Sequence, residues 1–128
     1  MTILGIGCDI VNIIRISYVY EKYGDKFLHK ILTSYEASIC CLIKEERERY
    51  SYLAKRFAAK EAYAKAMGTG ISEGLAFTDI EIRNDNHGRP YIVLVENSAS
   101  LQRESIDIHL SLSDDYPTAI AYVVISTH

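Results

Sequence analysis

The sequence predicts an α+β protein, and three observations carry that expectation. Residues 3–10, ILGIGCDI, alternate strictly along a strand. Residues 56–67 keep helical spacing and stop at Gly68. From residue 77 onward, alternating apolar segments are separated by turn residues, as in a mostly antiparallel sheet.

Each element follows in order. In the first strand, Leu4, Ile6, Cys8 and Ile10 face one way, and Gly5, Gly7 and Asp9 the other. Glycine is poor in strands unless something approaches the backbone closely. Residues 13–32 read as helix, broken or ended in its first part by Gly24. A second helical segment opens at Thr33 or Ser34, either of which can cap it, with Glu36 in the first turn. The charged stretch KEERERY leads into a long helix ending at Met67, and Gly68 fits a left-handed cap. GTGISEG, residues 68–74, reads as a loop. FTDIEIR and RPYIVLV flank NDNHG, a hairpin turn signal. SASLQRES, residues 98–105, has the composition of a short helix. In IDIHLSLS, Ile106, Ile108, Leu110 and Leu112 share one face, and Asp107, His109, Ser111 and Ser113 the other. TAIAYVVI, residues 118–125, is apolar throughout and reads as a central strand.

A chain of 128 residues fits one domain, 1–128, with a core large enough to need no staples. Its net charge of −3 argues against broad nucleic-acid binding, though a local basic patch is compatible with it. Three cysteines, Cys8, Cys40 and Cys41, make neither a disulfide framework nor a zinc site and fit a reducing cytoplasm. LGIG before Cys8 lacks the basic and long apolar segments of a lipoprotein leader. No apolar run reaches the length of a membrane span, so no membrane partner is expected.

The chemistry concentrates in RFAAKEAYAKAMGTGI, residues 56–71. Phe57, Glu61 and Lys65 share one side of the helix, while Ala58, Ala59, Ala62 and Ala66 lie together on another. Small residues let the helix approach the sheet, with Glu61 and Lys65 at the rim. By spacing alone, Glu61 and Lys65 are as readily a solvated ion pair. Asp9 is as readily a turn or cap residue. Together, Asp9 and Glu61 can offer oxygen ligands to Mg²⁺, which pairs one or two carboxylates with phosphates and water. Lys65 would suit a phosphate oxygen, and GTGI would add backbone N–H groups free to meet an anion. A helix C-terminus disfavours anions, so Lys65 and the metal would have to outweigh it. His109 is a structural hydrogen-bonder or a base working near neutral pH. No serine–histidine–aspartate triad and no phosphate-binding P-loop is present. Basic residues gather at Arg15, Lys22, Lys26 and Lys30, and again at Lys44, Arg47 and Arg49. Arg15, six residues after Asp9, can meet an acidic partner near the site.

GIGCDIVNIIRI and FAAKEAYAKAMGTGI together resemble the paired signatures of the holo-[acyl-carrier-protein] synthases, and HGRPYI and IHLSLSDD resemble that family's later hairpin and strand. The resemblance covers nearly the whole chain. It implies a 4′-phosphopantetheinyl transferase fold, a mostly antiparallel sheet against a long helix. It implies transfer of the phosphopantetheine arm of coenzyme A to a serine of apo-acyl carrier protein, in support of fatty acid biosynthesis. It also implies Mg²⁺ and a homotrimer with sites at subunit interfaces. By the same resemblance, Asp9 and Glu61 are the metal ligands, and Lys65 lies near the transferred phosphoryl group. Gly68, Thr69, Gly70, Gly88, Arg89 and Pro90 line the nucleotide pocket, with His109 near the coenzyme. Arg15, with Lys22 on the same helix, meets the acidic carrier. Many relatives carry a further histidine where this chain has Asp114, so one candidate base is missing here. Glu61, itself or through a water, is the first choice of base and His109 the second. A non-enzymatic module that binds an acidic partner through its basic helices is the competing class.

Overall fold

The computed structural model describes residues 1–71, 74–95 and 106–128. Strand β1 (Ile3–Asn12) runs directly into helix α1 (Ile13–Tyr23), because the Asn12 side chain accepts hydrogen bonds from the Ile14 and Arg15 N–H groups. The strand is two residues longer than its alternation implied. Gly24, at φ 59°, breaks the next helical stretch, and α2 (Asp25–Ile31) follows. Helix α3 (Ser34–Leu42) opens with a reciprocal capping box between Thr33 and Glu36, so Thr33 is the cap. Helix α4 (Glu46–Met67) is capped by Glu45 and ends on Gly68 in the left-handed conformation. A short 3-10 turn (Phe77–Asp79) leads to the hairpin of β2 (Ile80–Asn84) and β3 (Pro90–Leu94). The last hairpin is β4 (Ile106–Asp115) and β5 (Thr118–Thr127). The expected helix at 98–105 lies outside the described residues.

Strands β1, β5 and β4 form one antiparallel sheet in that order, so TAIAYVVI is central as its apolar run implied. One face of the sheet packs on α4 through Ala119, Ala121, Val123 and Ile125. The other face is left exposed at Ile6, Ile10, Ile120 and Tyr122.

The contact between β1 and α4 has no side chain between backbones at two points. A Cβ on Gly5 would strike the carbonyl oxygen of Ala66, and one on Gly7 that of Ala62. Both alanines are themselves buried. The glycines and alanines are therefore one device: they bring the strand and the C-terminal turns of the helix into backbone contact.

Inside, Lys60 and Glu36 form a fully buried ion pair. Lys60 also donates to the Ile31 carbonyl at 2.7 Å, and Glu36 accepts from the Ile82 N–H at 2.7 Å. One charged pair thus joins the end of α2, the start of α3, α4 and β2. Burial pushes the Lys60 ammonium below its ordinary pKa, and the Glu36 carboxylate opposes that shift. Among the described residues, no helix is long and apolar enough to cross a membrane.

Candidate active site

Asp9 sits inside β1, three residues before the Asn12 cap, so it is neither a turn nor a cap residue. It shares the glycine face and points toward α4. Glu61 comes from the helix side, on the turn of α4 that follows Phe57. The two carboxylates line one cleft of about 300 Å³, with Arg15 from α1, Phe27 from α2 and Phe57 from α4 among its walls.

Lys65 is where the structure departs from helical spacing. Its ammonium does not pair with Glu61, four residues back. It donates across the seam to Asp9 Oδ1 and to the Cys8 carbonyl, both at 3.0 Å. The Asp9 hydrogen bond raises the Lys65 pKa above its ordinary value. Glu61 moves the other way in stability terms: burial first, then the Asp9 charge, push its carboxyl above the ordinary range, while Lys65 partly offsets them. Two carboxylates therefore face one small space, with Lys65 held on Asp9 and Arg15 in the wall.

The GTG segment departs from expectation as well. Its N–H groups are not free for an anion. Gly68 N–H donates to the Lys65 carbonyl, and Thr69 and Gly70 N–H both donate to the Ala64 carbonyl. They close the last turn of α4, whose orphan carbonyls claim them first. Gly68, Thr69 and Gly70 thus shape the end of the helix that carries Lys65 rather than offering a preformed anion nest.

A second cluster forms at the hairpin. Asp85 organises the turn by accepting from the His87 and Arg89 N–H groups, and Gly88 takes φ 83°. Arg56 on α4 reaches the adjoining Asn84 at 2.8 Å and anchors the hairpin to the helix. Arg89 and Pro90 then share a groove of about 220 Å³ with Asp85, Tyr91 and His109. His109 Nε2 lies 3.2 Å from Ser126 Oγ.

His109 does not join Glu61 within one chain. Asp9 is in register with Ala121 and Leu112, whereas His109 is in register with Val124. These two rows alternate across the sheet, so His109 looks out from the face opposite α4. The separation in the sheet is roughly 14 Å, from three residue rises and two strand spacings. The hairpin cluster and the carboxylate cluster are separate within one chain. Lys22 stands apart from both: it is exposed on α1, with its ammonium 5.3 Å from the Tyr23 ring centre.

Sequence reading passed over the aromatic wall. Phe27 and Phe57 line both the carboxylate cleft and an adjoining, largely apolar pocket of about 460 Å³ bordered by Lys26 and Lys30. Phe57 stacks on Phe77 with ring centres 5.3 Å apart. The four-residue spacing of Phe57 and Glu61 was the available signal; Phe27 gave none, since its approach depends on how α2 folds back.

The donor set suits a hard divalent cation. Asp9 and Glu61 offer oxygen only, and among the described residues no group of three or more metal-binding side chains occurs. Such a pair leaves most of a coordination shell to phosphate and water, as Mg²⁺ prefers.

Comparison with known proteins converges on one family. Residues 5–121 match the model of the 4′-phosphopantetheinyl transferase superfamily. The chain is 47% identical over 123 residues to a holo-[acyl-carrier-protein] synthase of Wolbachia pipientis subsp. Culex pipiens, covering 96% of this chain and 97% of that protein. It is 46% identical over 124 residues to one from Halothermothrix orenii, covering 95% and 96%. Among solved structures, the Bacillus anthracis holo-(acyl-carrier-protein) synthase in complex with CoA (3′,5′-ADP) superposes with a TM-score of 0.85 at 38% identity, covering all of both chains. The Helicobacter pylori enzyme in complex with coenzyme A gives 0.79 at 35% identity, covering 94% of this chain and 99% of that one. The mixed helix and antiparallel sheet, the paired motifs and these matches agree: the chain belongs to the 4′-phosphopantetheinyl transferase superfamily.

Proposed function

We propose that this chain transfers the 4′-phosphopantetheine group of coenzyme A to a serine of apo-acyl carrier protein, releasing adenosine 3′,5′-bisphosphate. The observation that carries this is the meeting of Asp9 and Glu61 in one cleft beside Lys65, in a chain nearly half identical to holo-[acyl-carrier-protein] synthases. Holo-carrier protein as product places the reaction in support of fatty acid biosynthesis, and the three unpaired cysteines fit a cytoplasmic setting.

In the reaction, the carrier serine oxygen forms a bond to the phosphorus of the phosphopantetheine phosphate. The bond from that phosphorus to the bridging oxygen breaks, and the bridging oxygen leaves on the adenosine bisphosphate. Such a transfer needs positioning and charge neutralisation more than covalent help. Mg²⁺ held by Asp9 and Glu61 would supply neutralisation at the pyrophosphate. Lys65 donates to a phosphate oxygen under attack. Glu61, itself or through a water that it holds, takes the serine proton. Arg15, at the cleft rim, and Lys22 on the same helix give the acidic carrier a local basic face despite the net charge of −3.

The two clusters are best reconciled by a homotrimer with sites between subunits. Support comes from the sheet face opposite α4, where Ile6 is 58% exposed, Ile10 70% and Tyr122 45%. Contiguous apolar exposure of this kind marks an association surface. A neighbouring copy can bring Gly88, Arg89, Pro90 and His109 to the Asp9–Glu61 cleft, which the chain's own sheet keeps apart. The number three follows from the family resemblance.

Intact-mass spectrometry tests the activity. Apo-carrier protein incubated with this protein, coenzyme A and Mg²⁺ should gain one phosphopantetheine arm. EDTA or Glu61→Gln should abolish the gain. Near-normal turnover by Glu61→Gln would remove that residue from the site, and carrier binding without any mass gain would favour the interaction module.

A further inference from the structure

We infer that Lys65 is a placeholder cation: its ammonium holds Asp9 until a divalent ion displaces it, and the displaced lysine is then delivered to the coenzyme's phosphate. This rests on the metal-dependent reading above and adds an order to it.

The geometry leads there. Lys65 uses two of its three ammonium donors on Asp9 Oδ1 and the Cys8 carbonyl. Those contacts neutralise one of two carboxylates that otherwise face each other across a small cleft. A lysine so held keeps one donor for a phosphate oxygen, but its charge sits 3.0 Å from the Asp9 oxygen that a divalent ion would share. Binding of the ion therefore works against the Lys65–Asp9 contact. A divalent ion between Asp9 and Glu61 opens it, because it offers Asp9 a stronger partner and repels the ammonium. Lys65 is placed to respond. Its side chain is 51% exposed while that of Asp9 is 15% exposed, so the lysine swings on a flexible stem and the carboxylate stays fixed. On the proposed reading, the anion that arrives with the metal is the coenzyme pyrophosphate. Metal and coenzyme thereby strengthen one another's binding, and linkage makes the effect reciprocal.

The inference has a sign that a simple phosphate contact lacks: removing Lys65 should improve metal binding while it weakens coenzyme binding. Mn²⁺ binding to metal-free protein without coenzyme, measured by electron paramagnetic resonance at constant ionic strength, reads the first part. Lys65→Gln should bind Mn²⁺ about tenfold tighter than wild type, the order expected when a unit charge in contact with a divalent ion is removed. Lys65→Arg should stay near wild type. Arg15→Gln, which removes a charge lining the same cleft, should change affinity by less than about twofold at moderate salt. Titration calorimetry with coenzyme A and Mn²⁺ should show weaker coenzyme binding by Lys65→Gln than by wild type. Wild-type or weaker Mn²⁺ affinity in Lys65→Gln overturns the placeholder. So does an equal gain in Arg15→Gln, which reports only the general field. If Glu61→Gln loses Mn²⁺ in either case, the metal site itself stands. If no variant and no wild type binds Mn²⁺, both readings fall together.

Discussion

Glu61 carries a measurable penalty before any ligand arrives. Burial and Asp9 keep its folded-state pKa above the ordinary 4.5. Between that value and the raised one, the folded protein binds more protons than the unfolded chain, so stability falls as pH rises through the window. Glu61→Gln has no such loss. In EDTA at pH 7 it should unfold at a higher urea concentration than wild type, and the difference should close by pH 3.5, below the ordinary carboxyl value. A variant that is less stable at pH 7 would contradict the charge crowding. The same residue shows where single positions were legible. That Asp9 and Glu61 meet in one cleft was legible because glycine in a strand and alanine on a helix are unusual enough to need a reason. The partner of Lys65 was not found, since helical spacing offers Glu61 and only the packed strand offers Asp9. Lys60 and Glu36 were not found either. In sequence, a lysine on a helix looks the same whether it meets water or a buried carboxylate.

At the scale of elements, β1 and α4 position the carboxylates through atoms that belong to the backbone. Gly7→Ala places a methyl group on the Ala62 carbonyl with no rotamer to relieve it. It should lower stability by about 3 kcal/mol, the upper part of the range for overpacking, and lower transfer activity along with it. Urea unfolding followed by circular dichroism measures the first. Unchanged stability would mean that the strand and helix lie further apart than described. Elements were the most legible level. Alternation placed β1 and β4, the apolar run placed β5 at the centre, and NDNHG placed the hairpin turn. The GTG segment shows the limit. Glycines signalled a turn correctly, but which carbonyls claim their N–H groups depends on how α4 ends.

At the scale of the molecule, Asp9 and His109 point from opposite faces of one sheet, and alternation alone could not say which face α4 covers. If the site is shared between copies, two defective proteins should repair each other. Glu61→Gln alone and Arg89→Ala combined with His109→Ala alone should each transfer poorly. Mixed under conditions that exchange subunits, they should recover a substantial part of wild-type activity by the mass assay, because some interfaces then unite two intact halves. Light scattering should give a trimer for each. A monomer, or no recovery from exchanging trimers, would confine the site to one chain.

The seam between β1 and α4 also governs how the molecule can change over generations. At a packed contact between two side chains, growth on one side is commonly relieved by shrinkage on the other. Here neither partner has anything to give up. Glycine is already the smallest residue, and the opposing atoms are carbonyl oxygens that every residue carries. A larger residue at position 5 or 7 therefore has no second-site suppressor across the contact. The helix itself must move, and the spacing of the two carboxylates moves with it.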